Sequence, residues 1–224
     1  MLITKDRIRP ADFNLEQLGG KAFNLLKMAS FKAVKVPPFF VIPTDLYREL
    51  ITEEVKIVMR QLKTKNLTEI EKKALEVRQF FLQAKLPNRW QEEIIEEYKK
   101  VGRGKVAVRS SATCEDLEGA SFAGQQDTYL NIFGDKQLLE AVKKCLASLF
   151  TVRAIVYRNN KKIEHDKAAL SLVVQQMIDP LVSGVSFSVD PLSGFEGGIR
   201  IDASYGLGEA IVQGMVSPDT FLVT

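Results

Sequence analysis

Apolar positions along the chain recur first at helical spacing and later at a period of two. Phe23, Leu25, Leu26 and Met28 give an apolar face to a short helix beginning near Lys21. Val36-Pro37-Pro38-Phe39-Phe40-Val41-Ile42-Pro43 reads as a proline-bracketed strand. Residues 45–100 are mostly helical in pattern. Thr68 and Glu71 fit a capping box ahead of Leu75, Val77, Phe80 and Phe81. Pro87 opens a further helix with Trp90, Ile94, Ile95 and Tyr98 on one side. From Asp135, a candidate N-cap, a long helix carries Leu138, Leu139, Val142, Leu146, Leu149 and Phe150 inward. After Lys167 the period changes. Val185, Phe187 and Val189 alternate with Ser186 and Ser188, and Ile199, Ile201 and Ala203 alternate with Arg200 and Asp202. That pattern predicts half-buried strands joined by Gly/Pro/Ser turns, with Thr220-Phe221-Leu222-Val223 as one more. The expectation is an α+β domain with a helical region at about 45–100 and a mainly antiparallel, sheet-rich part at about 168–224.

Composition narrows the class without naming a chemistry. The 224 residues, 46% hydrophobic, suffice for one large domain or two small ones. With 31 basic against 28 acidic residues the net charge is +3, which leaves no strong nucleic-acid footprint. No run approaches the roughly 18 apolar residues that cross a bilayer, and MLITKDRIRP lacks the apolar core of a secretion signal. Cys114 and Cys145 have neither zinc spacing nor a disulfide framework, so a reducing cytoplasm is the expected location.

The densest chemistry lies between Val106 and Ile132, VAVRSSATCEDLEGASFAGQQDTYLNI, where two short apolar strands flank a long polar turn. The turn region holds Arg109, then Ser110, Ser111 and Thr113, then Gly119, Ser121, Gly124 and Thr128. Arg109 can fork onto phosphate oxygens, hydroxyls can donate, and glycines let backbone N–H groups approach a ligand closely. Loops this long in compact domains are usually functional or disordered, and a mobile surface loop satisfies the composition equally. Lys21 follows Gly19-Gly20 at a predicted helix start, where a phosphate meets backbone donors, the positive helix end and an ammonium. A capping loop with an exposed lysine is the plainer reading. Gln175 and Gln176 place amides at the mouth of the apolar strand Leu172-Val173-Val174. Adenine needs an apolar slot with a donor and an acceptor at its edge, which backbone groups of Met177 and Ile178 can supply. A strand end with solvated amides is the alternative.

Four ordered segments resemble one family. They are Leu18-Gly19-Gly20-Lys21, the Arg109–Thr128 stretch, Val173-Val174-Gln175-Gln176-Met177-Ile178, and Ala203-Ser204-Tyr205-Gly206-Leu207-Gly208-Glu209-Ala210 with the following Gln213-Gly214 and Ser217-Pro218-Asp219. Together they are similar to the front part of the ATP-binding domain of the phosphoenolpyruvate synthase and pyruvate phosphate dikinase family, which rifampin phosphotransferase also resembles. The resemblance implies an ATP-grasp fold, truncated at its C-terminal side. By it, Lys21 and Arg109 contact ATP phosphates, Gly124 and Thr128 close the glycine-rich loop, and Gln175, Gln176, Met177 and Ile178 seat adenine. It further implies a phosphotransferase using ATP and Mg2+, with the metal ligands, a phosphohistidine domain and an acceptor-binding domain lying outside these residues. The expected reaction converts ATP, pyruvate and water to phosphoenolpyruvate, AMP and phosphate. A rifampin phosphotransferase, a pyruvate phosphate dikinase or a non-catalytic nucleotide-binding module stays open. The isolated chain is expected to bind nucleotide weakly and to turn nothing over.

Other residues carry less. No Walker A motif occurs, and Tyr205-Gly206-Leu207-Gly208-Glu209 lacks the dinucleotide spacing. Asp190 reads as a turn residue. His165, the single histidine, lies in a polar stretch expected to be solvated and is not expected to be catalytic. No residue is assigned a catalytic or metal-binding role. Phe39 stands where the family has a glycine in its Val-Pro-Pro-Gly-Phe segment.

Overall fold

The computed structural model describes residues 2–4, 14–113, 127–191, 193–194 and 196–224. The chain divides after Met177 into two units. The strands of the first are β1 (Ile3–Thr4), β2 (Phe39–Ile42), β3 (Val106–Ala112), β4 (Thr128–Ile132) and β5 (Leu170–Gln176). They form one antiparallel sheet in the order β1-β2-β5-β3-β4. The helices are α1 (Leu15–Ala29), α2 (Thr44–Leu50), α3 (Glu53–Arg60), α4 (Leu67–Gln83), α5 (Asn88–Lys100), α6 (Asp135–Ala147) and α7 (Val152–Asn160).

Strand parity sorts these helices into two layers. Phe40, Ile42, Val106, Val108, Leu172 and Val174 face a large core filled by α2 to α7, in which Phe81 stacks between Tyr47 and Phe150 at 5.5 and 5.8 Å. On the other face Ile3, Phe39, Val41 and Val173 meet Leu18, Ala22, Leu25 and Leu26 of α1. With both faces covered, β2 and β5 read as near-continuous apolar runs. Against that background Arg109 is the single exposed residue of β3.

The helical region matches its pattern, but three starts differ from expectation. The first helix begins at Leu15, where the Asn14 carboxamide accepts the Gln17 N–H at 3.0 Å, and Met28 points outward. α4 is capped by Asn66, whose side chain accepts from the N–H groups of Thr68 and Glu69 at 3.1 and 3.3 Å, so the cap lies upstream of Thr68. α6 is capped by Gly134 at φ 86°, and Asp135 instead pairs with Arg103 at 3.0 Å. No helix among the described residues is long and apolar enough to cross a membrane.

The sheet-rich part expected over about 168–224 separates into two sheets, because β5 pairs with β2 and β3. The second unit holds β6 (Val182–Phe187), β7 (Ile199–Tyr205) and β8 (Asp219–Val223) in that order, all antiparallel, with a single helical turn α8 (Glu209–Val212). Arg200 joins Asp190 at 3.2 Å and Asp202 at 3.1 Å, and Asp202 accepts the Thr220 hydroxyl at 2.7 Å. Asp190 also accepts from Ser193, in keeping with a turn residue.

Candidate functional site

The β-hairpin around Arg109 depends on one irregular residue. Val106 pairs with Ile132, but Val108 pairs with Tyr129 and Arg109 with Thr128, so β4 carries one extra residue. Asn131, at φ 57°, sits in this bulge. The bulge lets Ile132 and Tyr129 both face the large core and sends Thr128 to the opposite face beside Arg109. Directly paired residues share a face. A row therefore runs across the sheet through Ile3, Val41, Val173, Arg109 and Thr128. It is apolar at one end and cationic, then hydroxyl-bearing, at the other. Neighbours in it are about 5 Å apart.

Helix α1 lies over this row and is broken at Gly19, where φ is 63°. The break brings the helix backbone hard against β3. A Cβ at position 19 would lie 2.4 Å from the Ser111 carbonyl oxygen. The Ser111 hydroxyl donates to Leu18 O at 2.7 Å and accepts the Ala22 N–H at 3.0 Å. Ser171, on β5, donates to the same Leu18 carbonyl. Ser111 is one of the turn hydroxyls expected to face a ligand. It is fully buried, and its hydroxyl instead holds α1 to the sheet. Thr113 likewise exchanges hydrogen bonds with Ala169.

Beyond the break, Lys21, Asn24, Leu25 and Met28 line one side of a cleft of about 260 Å³, and Arg109 and Val173 line the other. The helical residues fall at i, i+3, i+4 and i+7, a single face of α1. Lys21 and Arg109, 88 positions apart, thus share one cavity. The pair suits an anion with several oxygens, Asn24 adds a donor and an acceptor, and Leu25, Met28 and Val173 supply an apolar wall.

The remaining predicted residues divide. Thr128 neighbours Arg109 in the row. Gln175 is two residues beyond Val173 on the same face, opposite Ala107 and Phe39. Gln176 has the opposite parity, and its amide nitrogen lies near Gly102, beyond the sheet from the cleft. The N–H groups of Gln176 and Met177 donate at 2.9 Å to Pro38 O and Lys105 O. Ile178 is exposed and begins the second unit. Gly124, with Cys114, Gly119 and Ser121, lies outside the described residues. Among the described residues no group of three or more His, Cys, Asp or Glu side chains is placed to hold a metal. Ser171 and Asn24 carried no signal in the sequence, since a serine in a strand and an asparagine in a helix are commonplace.

His165 departs from expectation in its surroundings. It is 2% exposed, not solvated. Its Nδ1 accepts from Arg158 Nε at 3.0 Å, and its Nε2 lies 2.9 Å from Asn159 Oδ1, which fits a neutral ring carrying its proton on Nε2. Burial and then the adjacent Arg158 push its pKa down to about 4. Arg158 is itself fully buried, lies over the Phe150 ring and donates to Leu149 O at 2.8 Å.

Comparison with known proteins identifies the family. Residues 15–224 match the family described as pyruvate phosphate dikinase, AMP/ATP-binding domain. Phosphoenolpyruvate synthase of Aeropyrum pernix is 40% identical over 94% of this chain and 27% of its own length. A probable phosphoenolpyruvate synthase of Archaeoglobus fulgidus is 42% identical over 92% of the chain and 28% of its own length. Rifampicin phosphotransferase of Bacillus subtilis is 39% identical over 93% of the chain and 25% of its own length. The chain spans about a quarter of the length of these relatives. On a match that runs through all four motif segments, the chain belongs to the pyruvate phosphate dikinase AMP/ATP-binding domain family, with an ATP-grasp-like α+β fold.

Proposed function

We propose that this chain binds the ATP of a phosphoenolpyruvate synthase-like phosphotransferase. The observation that carries the reading is the single cleft lined by both Lys21 and Arg109. Phosphoryl transfer asks little covalent chemistry of a protein and much alignment and charge neutralisation. Lys21 and Arg109 supply the charge and Thr128 a hydroxyl beside it. Adenine lies toward Gln175, whose carboxamide shares the cleft face. With the Gln176 and Met177 N–H groups engaged in the sheet, the purine edge is read by Gln175. Mg2+, with its protein ligands expected outside these residues, would accompany ATP and add to the neutralisation of its phosphates.

In the whole protein the phosphoryl group passes to a histidine on a separate domain and then to pyruvate, with AMP and phosphate as the other products. The 224 residues alone bind nucleotide weakly and turn nothing over. The rifampicin phosphotransferase likeness supports a second reading in which a rifamycin is the acceptor. Both readings make the same use of this cleft.

Calorimetry with ATP tests the cleft. Lys21→Met and Arg109→Met are each expected to weaken binding roughly 10- to 100-fold, the value of one charge-assisted contact. Wild-type affinity in both variants would overturn the reading. AMP formation by the full-length protein with pyruvate or with a rifamycin separates the two acceptors.

A further inference from the structure

In an uninterrupted α-helix the Ala22 N–H donates to the carbonyl of Leu18, four residues back. Gly19 breaks that turn, and the Ser111 hydroxyl occupies the gap. It accepts the Ala22 N–H at 3.0 Å and donates its own O–H to Leu18 O at 2.7 Å. The missing helical bond is thereby replaced by a two-step relay through a side chain of the sheet. Ser171 provides a second hydroxyl to Leu18 O, and its oxygen lies 3.3 Å from the Ser111 carbonyl. Leu18, Ser111 and Ser171 are all fully buried, so water is not at hand to replace either hydroxyl.

We propose that Ser111, backed by Ser171, is a positioning residue for the nucleotide's phosphates, aiming Lys21 at the side of the cleft occupied by Arg109. This rests on the ATP-binding reading above. The apolar contacts of α1 with the sheet are non-directional and permit the helix to slide or roll. A hydroxyl bridge fixes both angle and distance. Ser111 pins the amide of Ala22, the residue after Lys21, and lies two residues beyond Arg109 on the same face of β3. Both cations are therefore referenced to one strand, and their separation follows from β3 rather than from the looser packing of helix on sheet.

ATP and adenosine binding are measured by calorimetry for wild type, Ser111→Ala, Lys21→Met and the double variant. Ser111→Ala is expected to weaken ATP about tenfold while changing adenosine less than about twofold, the scale of a displaced charge contact. In the Lys21→Met background it is expected to add nothing further, because the group being aimed is gone. Equal losses for ATP and adenosine, or full additivity with Lys21→Met, reduce Ser111 to a structural role and overturn the proposal. A ligand-free readout accompanies these. The NMR resonance of the methylated Lys21 amine is expected to shift in Ser111→Ala, and an unmoved resonance overturns the proposal. If wild type binds neither ATP nor adenosine, the ATP reading fails, and the Lys21 resonance still tests whether Ser111 aims Lys21. Should Ser111→Ala not fold, Ser171→Ala is expected to give the same selective pattern at about threefold, and its absence counts against the proposal.

Discussion

At position 19 two constraints coincide. The backbone adopts φ +63°, and an added methyl would lie 2.4 Å from one carbonyl oxygen and 2.7 Å from the next. Gly19→Ala is therefore expected to cost roughly 3–5 kcal/mol, combining left-handed strain with a clash against backbone that cannot move aside. Denaturant titration measures it, and a loss below about 1 kcal/mol would refute the close approach. His165 makes a second residue-scale prediction. Its pKa in the fold is about 4 against an ordinary 6.5, so the neutral ring stabilises the fold above pH 6.5. As the pH falls from 6.5 toward 4, the unfolded chain takes up a proton that the fold refuses, and stability declines by on the order of 2–3 kcal/mol. His165→Gln is expected to flatten that decline, and equal pH profiles would refute it. The two residues differ in legibility. The Gly-Gly-Lys run flags Gly19 directly, whereas burial of His165 arises from Arg158 and Asn159, which local polarity does not reveal.

At the scale of elements, the helical pattern was readable because α4, α5 and α6 each bury one stripe against a common core. Their starts were less so, since several polar residues compete for each cap. Asn66 prevails over Thr68 because it reaches two amides at once. Asn66→Ala is expected to destabilise the fold by about 1 kcal/mol, while Glu71→Ala, at an exposed position, changes it by less than about 0.5 kcal/mol. Thermal or chemical unfolding of both variants checks the ranking. In the strands the decisive features were parity and the Asn131 bulge. Neighbouring glutamines look equivalent in sequence, yet alternation sends Gln175 toward the cleft and Gln176 away from it. The bulge, which places Thr128 beside Arg109, has no sequence mark beyond an asparagine able to adopt positive φ.

For the molecule as a whole, the two units differ in how their apolar residues are covered. The first places strands between two helical layers, whereas no described residue from Ile178 onward is fully buried, and Leu181, Tyr205, Val212 and Leu222 are each more than 70% exposed. Amides of β6, β7 and β8 are therefore expected to exchange with solvent faster than those of β2, β3 and β5. Comparable protection by mass spectrometry or NMR would contradict this. The period-two pattern after Lys167 announced strands but not which sheet each joins, because pairing partners for β5 lie far back in the chain. That distance bears on synthesis. Among the described strands of the first unit β5 is the last to leave the ribosome, yet it is the neighbour that β2 and β3 have in common. Until Gln176 has emerged, the nascent chain holds two half-sheets with unpaired edges, and chaperones have their longest opportunity to engage it.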